Sequence, residues 1–488
     1  MDTRHPTSQW IWTPRFLIIL LLLLFAKRPV LGAEPLVIVT PFPKVTYEPF
    51  QRAFEKSHPE IKLEIIRLKT DAAIKAIQKG VAEGKSPDLF WASAKDAFEI
   101  LSDDDQLVPY HSAVPGVAQQ IGGQPIHDTD HHFTGFALSS YGIMWNGYFT
   151  RLHQLPDPEE WEDLTHPAYF GQLSMCTPAL SGTTHMTVES ILQNYGWDEG
   201  WRLLKALGGN VREFARNSGD VPDAVTAGTA GAGVVIDFYA LTNKASGHDV
   251  AYTPPKRPSL VPANIALIKN GPNSKAAKQF IDFLLTPEGQ KILLLPEINR
   301  LPVNPTVYAQ APRGFPNPFT NKSLLAAQPF DVELSKKRYA VINQLFDATL
   351  VKGLPELKSA TKAIHLASKT IEEKTTWKTP WFTLPWYLPN VPNLAWAREK
   401  LAEARKRLGT APITLEESTG NLAEIFSEVS NDKLSAEQKG KQAQIRARWQ
   451  ADTRQTAKEA EKLAQLATQL LNNPNSVPNE QTPAKGAP

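Results

Sequence analysis

Short apolar runs that alternate with segments of helical periodicity constrain this chain more than any other feature. Leu36-Val-Ile-Val-Thr40 reads as a buried strand, and after Pro41-Phe42-Pro43 the residues Tyr47, Phe50 and Phe54 fall on one face of a helix over 47–58. The pattern repeats with a strand at 61–66, a helix at 71–82, a strand at 87–92 and a helix at 95–101. Strands alternating with helices predict βαβ units and a parallel sheet covered on both faces. Ligands of such sheets sit beyond the carboxyl ends of the strands, which here are 40–43 and 92–93.

Further along, residues 135–146 are apolar and extended. Strands are expected at 173–177, 211–214, 233–236 and 264–268, and helices at 184–195, 198–207, 219–226 and 274–285. Within this half, Ser181-Gly182-Thr183-Thr184-His185 follows a strand and opens a helix. A helix start carries unpaired N–H groups and a partial positive charge, and Gly182 admits a ligand close to the backbone. Three neighbouring hydroxyls add hydrogen-bonding groups without charge. The stretch suits a phosphate or carboxylate, and it suits a plain Ser/Thr N-cap equally well.

At 488 residues the chain exceeds a single core, so two or three domains are expected. Lys plus Arg is 52 against Asp plus Glu 50, which leaves no net field to steer nucleic acid or an anionic membrane; 40 prolines exclude a continuous coiled coil. The only cysteine, Cys176, rules out an intramolecular disulfide and reads as a buried small residue. Arg4 and Arg15 precede the apolar run 16–26, and Gly32-Ala33 offers a cleavage point. Residues 1–33 therefore read as an export signal, while Lys27 and Arg28 also suit retention as an uncleaved anchor.

Three features occur in order over residues 35–310: the strand-plus-helix opening, Pro87-Asp88-Leu89-Phe90-Trp91, and a block at 262–293 containing Phe280-Ile-Asp-Phe-Leu-Leu-Thr-Pro-Glu-Gly289-Gln290. In these the chain resembles the extracellular solute-binding proteins of ABC importers, in the two-lobed class that includes ferric-iron, phosphonate and sugar-phosphate binders. Within that class it is similar to a branch that governs phosphoglycerate uptake with a sensor kinase. The resemblance implies an α/β, type 2 periplasmic binding fold with a hinge between two parallel or mixed sheets. Lobe one would then hold 34–138 and 262–376, and lobe two 139–261, with crossings near 138–142 and 259–264. It also implies a periplasmic location, delivery of ligand to an ABC importer permease or a membrane sensor kinase, no cofactor and no catalysis.

Iron-binding members of the class use a first-loop histidine, a carboxylate after the third strand and two adjacent tyrosines after a lobe-two strand. The corresponding positions here read Thr40-Pro41-Phe42, Ser93 and Phe238-Tyr239, a thin set for a hard trivalent cation. His127, His131 and His132 lie at irregular spacing and read as a solvated loop. A phosphorylated small molecule fits better: a phosphoglycerate, a sugar phosphate or a phosphonate. Ser181, Gly182, Thr183 and Thr184 would hold its phosphoryl oxygens, with His185 beside them. Ser218, in Asn217-Ser218-Gly219, offers a second anion nest, with Arg216 before it. Asp237 either accepts from the ligand's hydroxyls or caps a helix at 238–244, and Tyr239 either closes over the ligand or packs between helices. Thr40 and Ser93 would contribute from lobe one. Recognition is thus expected to rest on neutral donors. For a secreted hydrolase, the Ser/Thr/His cluster lacks both Gly-x-Ser-x-Gly and paired carboxylates.

Helical spacing at 334–350 and 354–371 is expected to pack on lobe one. Residues 377–392 form a Pro/Trp-rich strap, 393–471 a charged helical extension suited to a hairpin or a protein partner, and 472–488 a tail disordered by composition.

Overall fold

The opening alternation becomes β1 (Leu36–Thr40), α1 (Lys44–Ser57), β2 (Leu63–Arg67), α2 (Thr70–Glu83), β3 (Leu89–Ala92) and α3 (Lys95–Asp103) in the computed structural model. The structure describes residues 35–121, 124–256, 258–325, 330–376, 391–426 and 434–473. The expected export segment, nearly all of the Pro/Trp-rich strap and nearly all of the tail lie outside these residues.

β4 (Thr134–Asn146) is buried at all thirteen positions, as a strand covered on both faces must be. Then come β5 (Leu173–Cys176), α4 (Gly182–Tyr195), α5 (Trp197–Asn210), β6 (Val211–Ala215), β7 (Ala232–Ile236), α6 (Asp237–Ala245), β8 (Leu260–Ile268) and α7 (Ser274–Leu285). The strands run in the order β2-β1-β3-β8-β4-β7-β5-β6. β1 is parallel to β2 and β3, and β5 is parallel to β6 and β7. Between these two parallel groups β4 and β8 run antiparallel to each other. β4 changes partners along its length: Thr134 to Ser140 pair with β8, while Tyr141 to Trp145 pair with β7. One lobe is built on β1–β3, the other on β5–β7, and β4 runs unbroken from one to the other.

The extension departs from the sequence reading. It comprises α8 (Val332–Phe346), α9 (Leu354–Thr375), α10 (Leu394–Gly409) and α11 (Ala436–Asn472); α8 and α9 were expected to pack on lobe one, and α10 and α11 to form a hairpin or meet a protein partner. Instead Val341, Leu345, Leu357, Ala360, Leu401 and Trp449 share one hydrophobic core with Trp201, Leu204 and Leu207 of α5 in lobe two. The physical reason is apolar matching. In α11, Ala457, Ala460, Ala464 and Ala467 recur at three- and four-residue steps, a narrow stripe that lets helices approach closely, and all four join that core. The thin stripes thus close the helices on one another. Among the described residues no helix is long and apolar enough to cross a membrane.

Candidate functional site

A cavity of about 710 Å³ opens between the lobes at the carboxyl ends of the strands of both. From lobe one it is lined by Phe42 after β1, Arg67 at the end of β2 and Lys69 beyond it, and Ser93 and Ala94 after β3. From lobe two come Ser181, Gly182 and Thr183 at the start of α4, Asn217 to Gly219 after β6, and Phe238 and Tyr239 after β7. Arg300, just before the short strand Leu301–Pro302 that pairs with β4, also lines it, as do the carboxylates Asp220 and Asp223.

Three helices present their amino ends here. A Cβ built on Gly182 would lie 2.8 Å from Ala94 Cβ and 2.9 Å from Thr70 Oγ1, so α4 begins directly against the starts of α2 and α3. Only glycine permits that approach. α2 and α3 have no side-chain cap, their N-cap positions being Lys69 and Ala94. α4 is capped by Ser181, whose Oγ accepts from Thr184 N at 3.1 Å. Converging helix starts add partial positive charge at one point.

Arg300 was not anticipated. It is only 1% exposed, and its guanidinium carbon lies 4.6 Å from the Phe42 ring centre and 4.0 Å from that of Phe238, one aromatic from each lobe. Its Nη1 donates to Ser93 Oγ at 3.2 Å, while Nε has no partner. Burial pulls its pKa down to about 10, against the opposing charge of Asp237, so it stays cationic at neutral pH. A cation that keeps unused donors against a cavity is built to receive an anion. The sequence offered one clue, an arginine set between Ile298 and the apolar Leu301. Arg67 and Lys69, also missed, are exposed at the rim, and Lys69 Nζ reaches across to Arg216 O at 3.3 Å. Beside the expected hydroxyls, the lining therefore carries three basic side chains, Arg67, Lys69 and Arg300, that the sequence reading did not include.

Of the expected site residues, Ser93, Ser181, Gly182, Thr183, Ser218 and Tyr239 line the cleft. Burial raises the Tyr239 pKa, with Ser218 opposing the rise. Four expected contributors do not line it. Thr40 Oγ1 donates to Trp91 O at 2.6 Å and accepts from Phe42 N at 3.1 Å, which shapes the loop that carries Phe42. Thr184 is buried behind Ser181. His185 is fully buried, its Nε2 3.0 Å from Asp96 Oδ2 and its Nδ1 2.7 Å from Asn343 Oδ1. Helical periodicity turns it a full step away from the cavity and into the contact between lobes. Asp237 does not line the cavity and does not occupy the N-cap: it is the first residue of α6 and Ile236 is the cap. Its Oδ2 accepts from Ser140 N at 2.8 Å and Ser140 Oγ at 3.2 Å, bracing the crossing strand, and its Oδ1 accepts from Phe238 N at 2.7 Å. Burial raises its pKa to about 6, opposed by the Ser140 N–H and by Arg300. Arg216 is exposed and does not line the cavity. Among the described residues no cluster of three His, Cys, Asp or Glu is arranged to hold a metal. Cys176 is buried, and burial raises its thiol to about 11.

Residues 84–321 match the family described as bacterial extracellular solute-binding protein. The chain is 32% identical over 293 residues to the phosphoglycerate transport regulatory protein PgtC of Salmonella typhimurium, covering 60% of this chain and 71% of that protein. Two similar solved structures share the fold. One is the periplasmic binding protein AfuA of Actinobacillus pleuropneumoniae with fructose-6-phosphate bound, at TM-score 0.57 and 18% identity over 64% of this chain and 98% of that one. The other is iron-bound HitA of Pseudomonas aeruginosa, at TM-score 0.53 and 15% identity over 64% of this chain and 98% of that one.

Proposed function

Because this chain belongs to the bacterial extracellular solute-binding proteins, we propose that it captures a phosphorylated small molecule between its lobes and presents it to an ABC importer or a membrane sensor kinase. The observation that carries this reading is Arg300, buried at the cleft with unused donors, beside the converging starts of α2, α3 and α4. The hydroxyls of Ser93, Thr183 and Ser218 surround that positive centre, and Tyr239 lies opposite lobe one. The identity to a phosphoglycerate transport regulatory protein points to a phosphoglycerate first, then a sugar phosphate or phosphonate. Export to the periplasm follows the family.

Charge argues against ferric iron as cargo. Arg67, Lys69 and Arg300 outnumber the two lining carboxylates, Asp220 and Asp223, and Asp220 Oδ2 already accepts from Asn217. Hydrolysis has no support either, because His185 is sealed from Ser181 and the cavity. A thermal-shift screen of phosphoglycerates, hexose phosphates, phosphonates and ferric citrate tests the reading. A rise in Tm with a phosphate ester, without release of inorganic phosphate, is expected. A response to ferric citrate alone, with visible charge-transfer colour lost in Tyr239→Phe, would replace it.

A further inference from the structure

A second cavity, of about 490 Å³, lies in the seam between lobe two and the helical extension. The 3-10 turns Trp161–Thr165 and Pro167–Tyr169 together with α5 form one wall, and α9 and α10 form the other. The extension lies beyond residues 84–321, so this seam is a property of the chain rather than of the matched family region.

Its lining is amphipathic. Leu155, Leu203, Ile364 and Leu408 supply an apolar surface. Most polar groups are already committed. Glu162 Oε2 accepts from Tyr195 OH at 3.0 Å, and Asp163 Oδ2 accepts from the amides of Glu159 and Glu160. Asn210 Nδ2 donates to the carbonyls of Leu164 and His166, which leaves its Oδ1 to accept from His365 Nε2 at 2.8 Å. Burial pushes His365 down to about 4, so it is neutral. Three groups remain open, one of them the buried hydroxyl of Thr361. Tyr169 is 2% exposed with a buried hydroxyl that has no hydrogen-bond partner. Arg405 donates to Ser368 Oγ at 2.9 Å, but among the described residues no carboxylate lies within ion-pair distance of it. Its charged neighbour in the lining is Arg202, a like charge that, after burial, lowers the Arg405 pKa further. An uncompensated guanidinium over an apolar floor is the pattern of a small-molecule pocket with one orienting charge.

We propose that this seam binds a small organic acid, its anionic group paired with Arg405 and its apolar body against Leu203, Ile364 and Leu408. The site is independent of the cargo in the interlobe cleft. Because its walls come from different parts of the chain, an occupant stabilises the docking of the extension onto lobe two. The probe is 8-anilinonaphthalene-1-sulfonate, an aromatic anion, titrated into the full exported chain by fluorescence and then competed with benzoate and decanoate. Saturable binding at one site is expected. Arg405→Gln, a change at an exposed position, should weaken it at least tenfold, and Ala206→Trp, which fills the cavity from a half-buried position, should abolish it. Arg300→Gln in the cleft should leave it unchanged, with circular dichroism melts confirming that each variant is folded. No saturable binding, binding indifferent to Arg405→Gln, or binding lost only in Arg300→Gln would overturn the proposal.

Discussion

Two residues decide how the cleft and its surroundings work. Burial lowers the Arg300 pKa only to about 10, a fall that the charge of Asp237 opposes, and the same aspartate holds the crossing strand through Ser140. A hydrogen bond to a charged group contributes about 1.5–3 kcal/mol. Arg300→Gln should therefore weaken phosphate-ester binding roughly 10- to 100-fold, read by calorimetry, at about 1.4 kcal/mol per tenfold. His185 is the second. Its ring nitrogens face the Asp96 carboxylate and the Asn343 carbonyl, and although burial alone would lower its pKa, the charge of Asp96 and these contacts raise it overall. A histidine whose folded pKa exceeds its unfolded value of about 6.5 stabilises fully below that unfolded value and loses the contribution as pH rises through the folded pKa. Urea unfolding should thus show wild type exceeding His185→Gln most at acidic pH, with the gap shrinking toward alkaline pH. A constant gap would remove the charged histidine from the account. The sequence placed His185 at the right turn of the right helix, but one hydroxyl-rich stretch carries both a ligand face and a core face, and periodicity alone does not say which face meets the cavity.

At the scale of elements, α8 is the least legible and the most consequential. Toward lobe one it offers Ser335 Oγ to Asp96 at 3.2 Å, Lys336 to Asp103 at 2.7 Å and Tyr339 OH to Asp71 at 2.7 Å. Toward lobe two it offers Arg338, bidentate to Glu189 with both groups buried, and Asn343 to His185. Ser335, Lys336, Arg338 and Asn343 thus bridge two lobes. Strands and helices were legible because their periodicities are local; of α8's two partners only lobe one was anticipated, since nothing local distinguishes a charge facing water from one facing a buried counter-charge in lobe two. Breaking one side of a buried ion pair costs about 3–5 kcal/mol. Glu189→Ala should lower the urea midpoint accordingly, whereas the double change Glu189→Leu with Arg338→Met should recover most of the loss. Equal midpoints in the single variant and wild type would show that the pair contributes nothing.

Across the whole molecule, a two-lobed receptor carries a helical bundle that is rooted in the core of one lobe and reaches the other through α8. Hinge closure shifts populations only through contacts made in one state and not the other. α8 contacts both lobes, so it holds them together in the arrangement seen here. Asp96→Asn combined with Tyr339→Phe should raise amide hydrogen exchange in α3 and the start of α2 while α11 stays protected. Uniform exchange across both would deny α8 that role. The bundle's long alanine-striped helices were read correctly as helices, while their attachment emerged only once α5 showed its complementary face. The most direct test of the central claim is calorimetric titration of whichever phosphate ester raises Tm, into wild type, Arg300→Gln and Ser181→Ala/Thr183→Ala. Tight one-site binding by wild type, weakened at least tenfold in both variants while each remains folded, is the predicted result; equal affinity in all three would place the cargo somewhere other than this cleft.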